Sequence, residues 1–206
     1  MQPFPDAQWQ PLSLAETVDL FRGAPFAWAL GGGYCVEQFI GTPYRAHDDV
    51  DVVIFRDDQL AAQRWLDGWH LFAADPPGTL RYWNLSEYLP FGIHDIWGYR
   101  AGREAWEFQF MVAEVEGEGE DAAWFSRRDP RIRGRRSDLF AVYDGLPCVR
   151  IEVQLYYKSR GLRPKDQLDF SKCLPLLSAE QKARLAYTIR LANPDGHSWL
   201  ARIETQ

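Results

Sequence analysis

The sequence predicts an α+β fold: strands and helices alternate over roughly the first two thirds of the chain, and helices fill the rest. Apolar segments rich in β-branched residues, such as Val50 to Phe55, are typical of buried strands. Two capping-box patterns, Ser13 with Glu16 and Ser178 with Gln181, predict the starts of helices. Near the C-terminus apolar residues recur at helical spacing, so this part of the chain is predicted to be helical.

In the first third, glycines, prolines and acidic caps divide the chain into short elements. The predicted elements are a helix from Leu12 to Phe21, a strand from Phe26 to Leu30, a short helix from Tyr34 to Ile40, a strand from Val50 to Phe55 and a helix from Gln59 to Asp67.

The middle of the chain is predicted to be rich in strands. The stretches that indicate them are HLFAA, LRYWNL, IHDIWGY and AWEFQFMV, the last two joined as a hairpin at RAGRE. The arginine-rich stretch AWFSRRDPRIRGRRSDLF is predicted to be an exposed loop between short strands. Helices are then predicted in RIEVQLYYKSR, from Pro164 to Cys173, after Ser178 and in HSWLARIE. We therefore expect an α+β domain over residues 1–146 and a helical region over 147–206.

Composition narrows the class of protein. The chain has 206 residues, of which 46% are hydrophobic and 15% aromatic, so it can bury a core and is not expected to be disordered. Its net charge of −6 argues against a general nucleic-acid binder, although a small basic pocket for a phosphorylated ligand remains compatible with it. The three cysteines lack metal-binding spacing and are expected to be reduced thiols. No signal peptide or membrane-length apolar run is evident, which predicts a cytoplasmic protein with no membrane partner.

Two acids stand at the start of a predicted strand. Asp49 and Asp51 are two residues apart, a spacing that places their side chains on the same face, whereas Asp48 would face the other way. Neighbouring carboxylates repel each other unless a positive charge lies between them. Magnesium prefers oxygen ligands and is often held by one or two carboxylates together with substrate phosphates. The pair therefore predicts a Mg²⁺ site.

A glycine cluster lies just upstream of these acids. Without side chains, Gly31 and Gly32 let the backbone approach phosphate oxygens, and the N–H groups at the start of the following helix favour an anion. The segment therefore predicts a site for a polyphosphate next to the metal.

The segment GGGYCVEQFIGTPYRAHDDVD resembles the active-site region of the nucleotidyltransferase superfamily, and within it the aminoglycoside and lincosamide adenylyltransferases. A later segment, EVQLYYKSRGLRPKDQLDF, is similar to a second block of that group. The residues that match the first block are Gly31, Gly32, Gly33, Tyr34, Glu37, Gly41, Arg45, His47, Asp49, Val50 and Asp51. Those that match the second are Glu152, Gln154, Leu155, Lys158, Arg163, Lys165, Asp166, Asp169 and Phe170.

The resemblance implies a mixed β-sheet flanked by helices, with Asp49 and Asp51 as catalytic magnesium ligands. It also implies a third carboxylate on a neighbouring strand, which completes the metal site or acts as general base. Glu107 is the preferred candidate and Asp95 the alternative, because each interrupts an apolar strand; such a carboxylate is otherwise paired with an arginine. Gln109 shares the predicted face of Glu107 and could orient the substrate.

The same resemblance assigns the remaining residues. Gly31 and Gly32 would carry the triphosphate turn, Arg45 and His47 would lie near the phosphates, and Lys158 and Lys165 could reach the triphosphate unless they are ordinary surface lysines. Glu87, Glu114 and Glu116 could make an acidic cleft for a polycationic acceptor. His70, His94 and His197 have no metal-binding spacing and are expected to be structural.

The resulting hypothesis is a Mg²⁺-dependent nucleotidyltransferase. It would transfer a nucleoside monophosphate, AMP from ATP, to a hydroxyl of an aminoglycoside-like antibiotic, of another small molecule or of a protein side chain. The alternative is a non-catalytic nucleotide-binding or regulatory module, as in an antitoxin.

Overall fold

A computed structural model describes residues 8–205, except for the side chain of Glu120. Its internal contacts divide the described chain into two compact units, one made of residues 8–34 and 45–115 and the other of 35–44 and 116–205. The domains 1–146 and 147–206 that the sequence suggests stay a prediction.

The first unit begins with a helix whose N-terminus is capped by Ser13, as the capping box predicts. The elements of the first unit are α1 (Leu14–Phe21), β1 (Trp28–Leu30), α2 (Gly32–Ile40), β2 (Asp51–Phe55), α3 (Gln59–Trp65), β3 (Trp69–Ala74), β4 (Leu80–Tyr82), β5 (Asp95–Arg100) and β6 (Phe108–Glu116). Two of them, α2 and β6, end in residues that belong to the second unit.

The strands of the first unit form a mixed sheet in the order β4-β3-β5-β6-β2-β1. The β2–β6 pair is parallel and the other pairs are antiparallel. The predicted mixed sheet of an α+β fold is therefore confirmed. In the parallel pair Asp51 lies opposite Gln109, and across β6 Gln109 lies opposite Trp97 of β5. This register brings the polar ends of three neighbouring strands to one region of the sheet.

The sheet of the first unit is held by an aromatic and aliphatic core. Phe21 of α1 packs against Phe108 and Phe110 of β6, with ring centroids 6.0 and 5.5 Å apart. Val52 and Ile54 of β2 are fully buried in the same cluster. Because β2 and β6 are anchored by these side chains, the residues at the start of β2 have a fixed position relative to both neighbours.

Residues 116–205 of the second unit form two hairpins and four α-helices. Pro164 stands at the first position of a helix and Ser178 forms a capping box with Gln181, both as predicted. Its elements are β7 (Ala123–Ser126), β8 (Asp129–Arg135), β9 (Phe140–Tyr143), β10 (Leu146–Val149), α4 (Ile151–Lys158), α5 (Pro164–Cys173), α6 (Ala179–Ala192) and α7 (Ser198–Glu204).

The arginine-rich stretch differs from its predicted loop. It folds into the β7–β8 hairpin, in which Trp124 lies opposite Gly134. Ile132 is buried while Arg131 and Arg133 on either side of it are exposed, the alternation of a half-buried strand. The density of arginines hid this alternation in the sequence, because it left few apolar positions to mark a period of two.

The three cysteines are buried and free, in agreement with the predicted reduced state. Among the helices of residues 8–205, none combines the length and apolarity that crossing a membrane requires.

Candidate functional site

The glycine turn brings the backbone of α2 against the first carboxylate of β2. The N–H of Gly31 donates to the carbonyl oxygen of Asp51 at 2.9 Å. Gly32 has a φ of +57°, and a Cβ atom there would lie 2.0 Å from Asp51 Oδ2. No residue with a side chain fits this position, so glycine is required both by the backbone angle and by the approach of the carboxylate.

Two basic side chains lie against the next glycine, Gly33. A Cβ atom on Gly33 would lie 2.3 Å from His47 Nδ1 and 2.5 Å from Arg45 Nη2. Arg45 Nη1 is 3.1 Å from His47 Nδ1, and the imidazole packs against the ring of Tyr34 at 4.2 Å. In the first turn of α2 a carboxylate therefore contacts Gly32, and a guanidinium and an imidazole contact Gly33.

Asp49 and Asp51 are both partly exposed, while Val50 between them is fully buried. A buried residue between two partly exposed ones is the alternation expected of side chains that point to opposite faces of an extended chain. Asp48 is exposed. Within residues 8–205 no group of three or more His, Cys, Asp and Glu side chains is arranged to hold a metal ion.

Asp95 begins β5 and is held by two neighbours. Gln109 Nε2 donates to Asp95 Oδ1 at 3.0 Å, and His94 Nε2 lies 3.1 Å from Asp95 Oδ2. Gln109 is also the cross-strand partner of Asp51. A chain of neighbouring side chains thus runs from the acid of β2 through the amide of β6 to the acid of β5.

His94 is the residue of this group that sequence reasoning missed. Its Nδ1 lies 2.9 Å from the carbonyl oxygen of Gly92, which orients the ring toward Asp95. The sequence signal for this contact is the adjacent His-Asp pair at the start of a strand, which metal-binding spacing does not reveal.

Glu107, the preferred third carboxylate, is buried and paired with an arginine. The backbone N–H of Arg100 donates to Glu107 Oε2 at 2.8 Å, and Arg100 Nε donates to Oε1 at 2.9 Å. A further contact from Arg100 Nη2 completes the pair. This is the structural alternative that the sequence left open for such a residue, whereas Asp95 contacts the amide of Gln109 and the imidazole of His94.

The two predicted lysines lie in the second unit and differ in their surroundings. Lys158 is buried, with Nζ 2.8 Å from Asp169 Oδ2 and 3.7 Å from Asp166 Oδ1. Tyr44 donates to the other oxygen of Asp169. Lys165 on α5 is half-buried. The ammonium group of Lys158 therefore pairs mainly with Asp169, while the nearer cation of Asp166 is Arg163, at 2.7 Å.

The three acids suggested for an acceptor cleft are engaged in ion pairs. Each contacts an arginine of its own unit, which neutralises its charge toward a cationic ligand. The pairs are Glu87 with Arg81, Glu114 with Arg56, and Glu116 with Arg133.

Comparison with known proteins points to one group of enzymes. A family model described as aminoglycoside-2''-adenylyltransferase matches residues 13–69, which include the glycine turn and the Asp49–Asp51 pair. No curated protein matches the chain in sequence.

Solved structures of the same group share the fold. The lincosamide antibiotic adenylyltransferase LnuA, bound to lincomycin, aligns with a TM-score of 0.52 at 18% identity over 77% of this chain and 92% of its own. ANT(2'')-Ia in complex with adenylyl-2''-tobramycin aligns with a TM-score of 0.50 at 14% identity over 84% and 93%. The solution structure of ANT(2'')-Ia, an antibiotic-resistance factor, aligns with a TM-score of 0.54 at 13% identity over 91% of each chain.

These findings confirm the predicted resemblance to the aminoglycoside and lincosamide adenylyltransferases. The structural likeness establishes the nucleotidyltransferase-like fold. The matching family is one of adenylyltransferases, which confirms the predicted class of enzyme, a nucleotidyltransferase.

Proposed function

We propose that this protein is a Mg²⁺-dependent nucleotidyltransferase that transfers AMP from ATP to a hydroxyl group of a small molecule. The observation that carries the proposal is the first turn of α2, where Asp51 contacts Gly32 while Arg45 and His47 contact Gly33. A carboxylate suited to a cation and basic groups suited to phosphates meet there at a helix N-terminus, which favours an anion.

The donor set fits magnesium bound together with nucleotide. Asp49 and Asp51 supply carboxylate oxygens, the ligands that this ion prefers. A cage of three protein ligands is not required, because substrate phosphates provide further oxygens. When bound there, the ion would neutralise phosphate charge and polarise the phosphoryl group that is transferred.

The triphosphate would be held by the backbone and by basic side chains. Gly33 lets Arg45 and His47 lie against the start of α2, where they offer positive or donor groups to phosphate oxygens beside the helix N-terminus. Gly31 contributes through the turn rather than as a donor, since its N–H is bonded to the Asp51 carbonyl. Lys165 remains a candidate phosphate contact, whereas we assign Lys158 to the ion pairs of α5.

Asp95 is the residue we assign to the acceptor hydroxyl. A general base must be oriented by its neighbours, and Gln109 and His94 hold both oxygens of this carboxylate. Asp95 would accept the hydroxyl proton while the oxygen attacks the α-phosphorus and pyrophosphate leaves. Glu107 is less suited, because it is buried and its charge is paired with the guanidinium of Arg100.

The acceptor is proposed to be an antibiotic-like polyol. LnuA, a lincosamide antibiotic adenylyltransferase, was solved bound to lincomycin, and ANT(2'')-Ia was solved in complex with adenylyl-2''-tobramycin. Because the candidate acids of an acidic cleft are paired with arginines, lincosamides should be tested as acceptors alongside polycationic aminoglycosides. We place the reaction in the cytoplasm, with no nucleic-acid or membrane partner.

The proposal is tested by incubating the protein with labelled ATP, Mg²⁺ and a panel of aminoglycosides and lincosamides. We expect one acceptor to gain AMP, and the Asp49→Asn/Asp51→Asn double variant to lose transfer. Asp48→Asn is the matched control, because this neighbouring acid is exposed and has no assigned role. Transfer that survives in the double variant contradicts the proposal. Nucleotide binding without transfer to any acceptor would support the alternative, a non-catalytic nucleotide-binding module.

A further inference from the structure

The loop between β4 and β5, residues 83–94, leads directly into Asp95, the general base of the proposed function. This loop consists of turns and irregular chain. Irregular segments with few contacts open and move easily, whereas a general base must lie within hydrogen-bond reach of the proton that it accepts. The contacts that hold this loop therefore decide whether Asp95 is in position.

One buried arginine, Arg56, holds the loop at two points. The residue follows β2 directly and is 6% exposed. Its Nη1 donates to the carbonyl oxygen of Leu89 at 3.1 Å, and its Nη2 donates to that of Ile93 at 2.8 Å. Leu89 is itself buried in the core. A single guanidinium group therefore fixes both ends of segment 89–93.

The direction of this guanidinium group is set by Glu114 of β6, which is also buried. Arg56 Nε donates to Glu114 Oε2 at 2.8 Å, and Nη2 contacts Oε1. Two such contacts between an arginine and a carboxylate fix the plane of the guanidinium group as well as neutralising its charge. The parallel pairing of β2 with β6 reaches Phe55 and Ala113, the residues just before the two partners. The sheet therefore aims the outer N–H groups of Arg56 at the loop.

Further contacts lead from the held segment to the carboxylate. His94 Nδ1 lies 2.9 Å from the carbonyl oxygen of Gly92, and His94 Nε2 lies 3.1 Å from Asp95 Oδ2. Since a carbonyl oxygen only accepts, Nδ1 carries a proton in this contact. Ile93, whose carbonyl group Arg56 binds, stands between Gly92 and His94 in the chain. A shift of this segment would therefore move the acceptor that orients the imidazole.

We propose that Arg56 is a positioning residue for the general base, an inference that rests on the proposed function. By holding segment 89–93, it keeps the Gly92 carbonyl where it orients His94. The imidazole in turn holds the carboxylate of Asp95 toward the acceptor hydroxyl. Because the guanidinium group is buried and bonded to the protein, it acts through the loop. Its loss should therefore slow transfer without weakening the binding of ATP.

Arg56→Lys tests this role. Lysine keeps the positive charge beside Glu114 but lacks the planar fork, so it cannot hold the carboxylate and both carbonyl groups in the same geometry. A displacement of about 1 Å at a reacting centre costs about 100-fold in rate, so we expect kcat to fall by at least about tenfold. The KM for ATP should stay unchanged. An unchanged kcat, or a raised KM for ATP with the wild-type kcat, contradicts the proposal.

Arg100→Lys is the matched control, because it makes the same exchange in another arginine–glutamate pair of the first unit. Its partner Glu107 lies outside the loop, and we expect the folded variant to keep its kcat. Thermal melts establish that each variant is folded. If Arg56→Lys is not, Glu114→Gln is the second variant, since it loosens the guanidinium group and should also lower kcat. Loss of kcat in the control as well, or in neither variant, contradicts the assignment.

Nuclear magnetic resonance tests the positioning without any substrate. The nitrogen-15 shift of His94 Nδ1, assigned by its loss in His94→Gln, reports whether that atom carries a proton. We expect a protonated Nδ1 in the wild type and in Arg100→Lys in mildly alkaline solution, and an unprotonated one in Arg56→Lys, where the Gly92 contact is released. The same shift in all three proteins would show that Arg56 does not orient the imidazole.

The wild-type protein separates this inference from the proposed function. If it transfers AMP and Arg56→Lys keeps both the kcat and the His94 signal, the positioning role is wrong and the transferase proposal stands. If the wild type transfers AMP to no acceptor, the proposed function fails, and the positioning of a general base fails with it.

Discussion

Gly32 is the residue on which the candidate site depends most directly. Its left-handed backbone angle and its contact with the Asp51 carboxylate both exclude a side chain. Gly32→Ala should displace that carboxylate, and a displacement of about 1 Å at a reacting centre lowers rates by about 100-fold. The kcat of AMP transfer is the measurement.

Gly41 is the matched control for that substitution. It also has a positive φ, +81°, but a Cβ atom there would have nothing within 4 Å. Gly41→Ala should therefore lose about 1 kcal/mol of stability from backbone strain while the folded enzyme keeps its kcat. Equal effects of the two alanines on kcat would show that the Asp51 contact is unimportant.

The contacts of Asp95 and Glu107 predict opposite phenotypes for two conservative variants. Asp95→Asn should abolish transfer with little loss of stability, because the amide keeps the shape but cannot accept the proton. Glu107→Gln should cost about 1–3 kcal/mol of unfolding free energy, since it weakens a buried pair with Arg100, yet retain kcat. Urea unfolding and single-turnover kinetics measure both, and a reversed pattern would return the third carboxylate to Glu107.

At the scale of elements, the ion pairs of Lys158 hold α4 to α5. Lys158→Met removes the ammonium group next to the buried Asp169, whereas Asp166 keeps its ion pair with Arg163, and the change should cost about 3–5 kcal/mol of unfolding free energy. Adding Asp169→Asn to that variant should recover part of the loss, because one uncompensated charge is removed. Denaturant unfolding of the single and double variants is the measurement.

Lys165 supplies the comparison within α5. Its side chain is half-buried, and Lys165→Met should change stability by no more than about 0.5 kcal/mol. If Lys165→Met raises the KM for ATP while Lys158→Met acts only on stability, the phosphate role belongs to Lys165. A stable Lys158→Met variant with a raised KM for ATP would instead favour the role that the sequence suggested for Lys158.

At the scale of the whole molecule, paired carboxylates set the acid limit of stability. A hydrogen bond from Arg81 lowers the pKa of Glu87, and one from Arg131 lowers the pKa of Asp129. Their contribution is complete above the ordinary values of 4.5 and 3.8 and is lost as the pH falls below them. We expect the melting temperature to decline from about pH 4.5 downward. A melting temperature that stays constant to pH 3 would contradict this.

Buried thiols set the alkaline limit of the protein's stability. Burial raises the pKa of Cys173 to about 12, and it also raises that of Cys35 above the ordinary 9.0. Because the unfolded chain gives up these protons first, stability is complete below pH 9 and falls as the pH rises above it. Cys173→Ala should reduce this alkaline decline in thermal melts recorded from pH 8 to 10.5. An unchanged slope would remove Cys173 from the explanation.

Much of the local structure was predictable because it depends on residues a few positions apart. Both capping boxes, the helix start at Pro164 and the β2 strand formed as predicted. The glycine turn and the acid pair were recognisable for the same reason, because all of their residues lie in one short segment of the sequence.

What the sequence alone determined, then, is the α+β class, the helix starts and the segment that carries the candidate site. Only the tertiary structure decided that Glu107 pairs with Arg100, that Asp95 is held by Gln109, and that the arginine-rich stretch is a hairpin. The physical reason is that an ionised side chain has no fixed role until its partner is known. Those partners come from other strands and helices, at positions that no local spacing specifies.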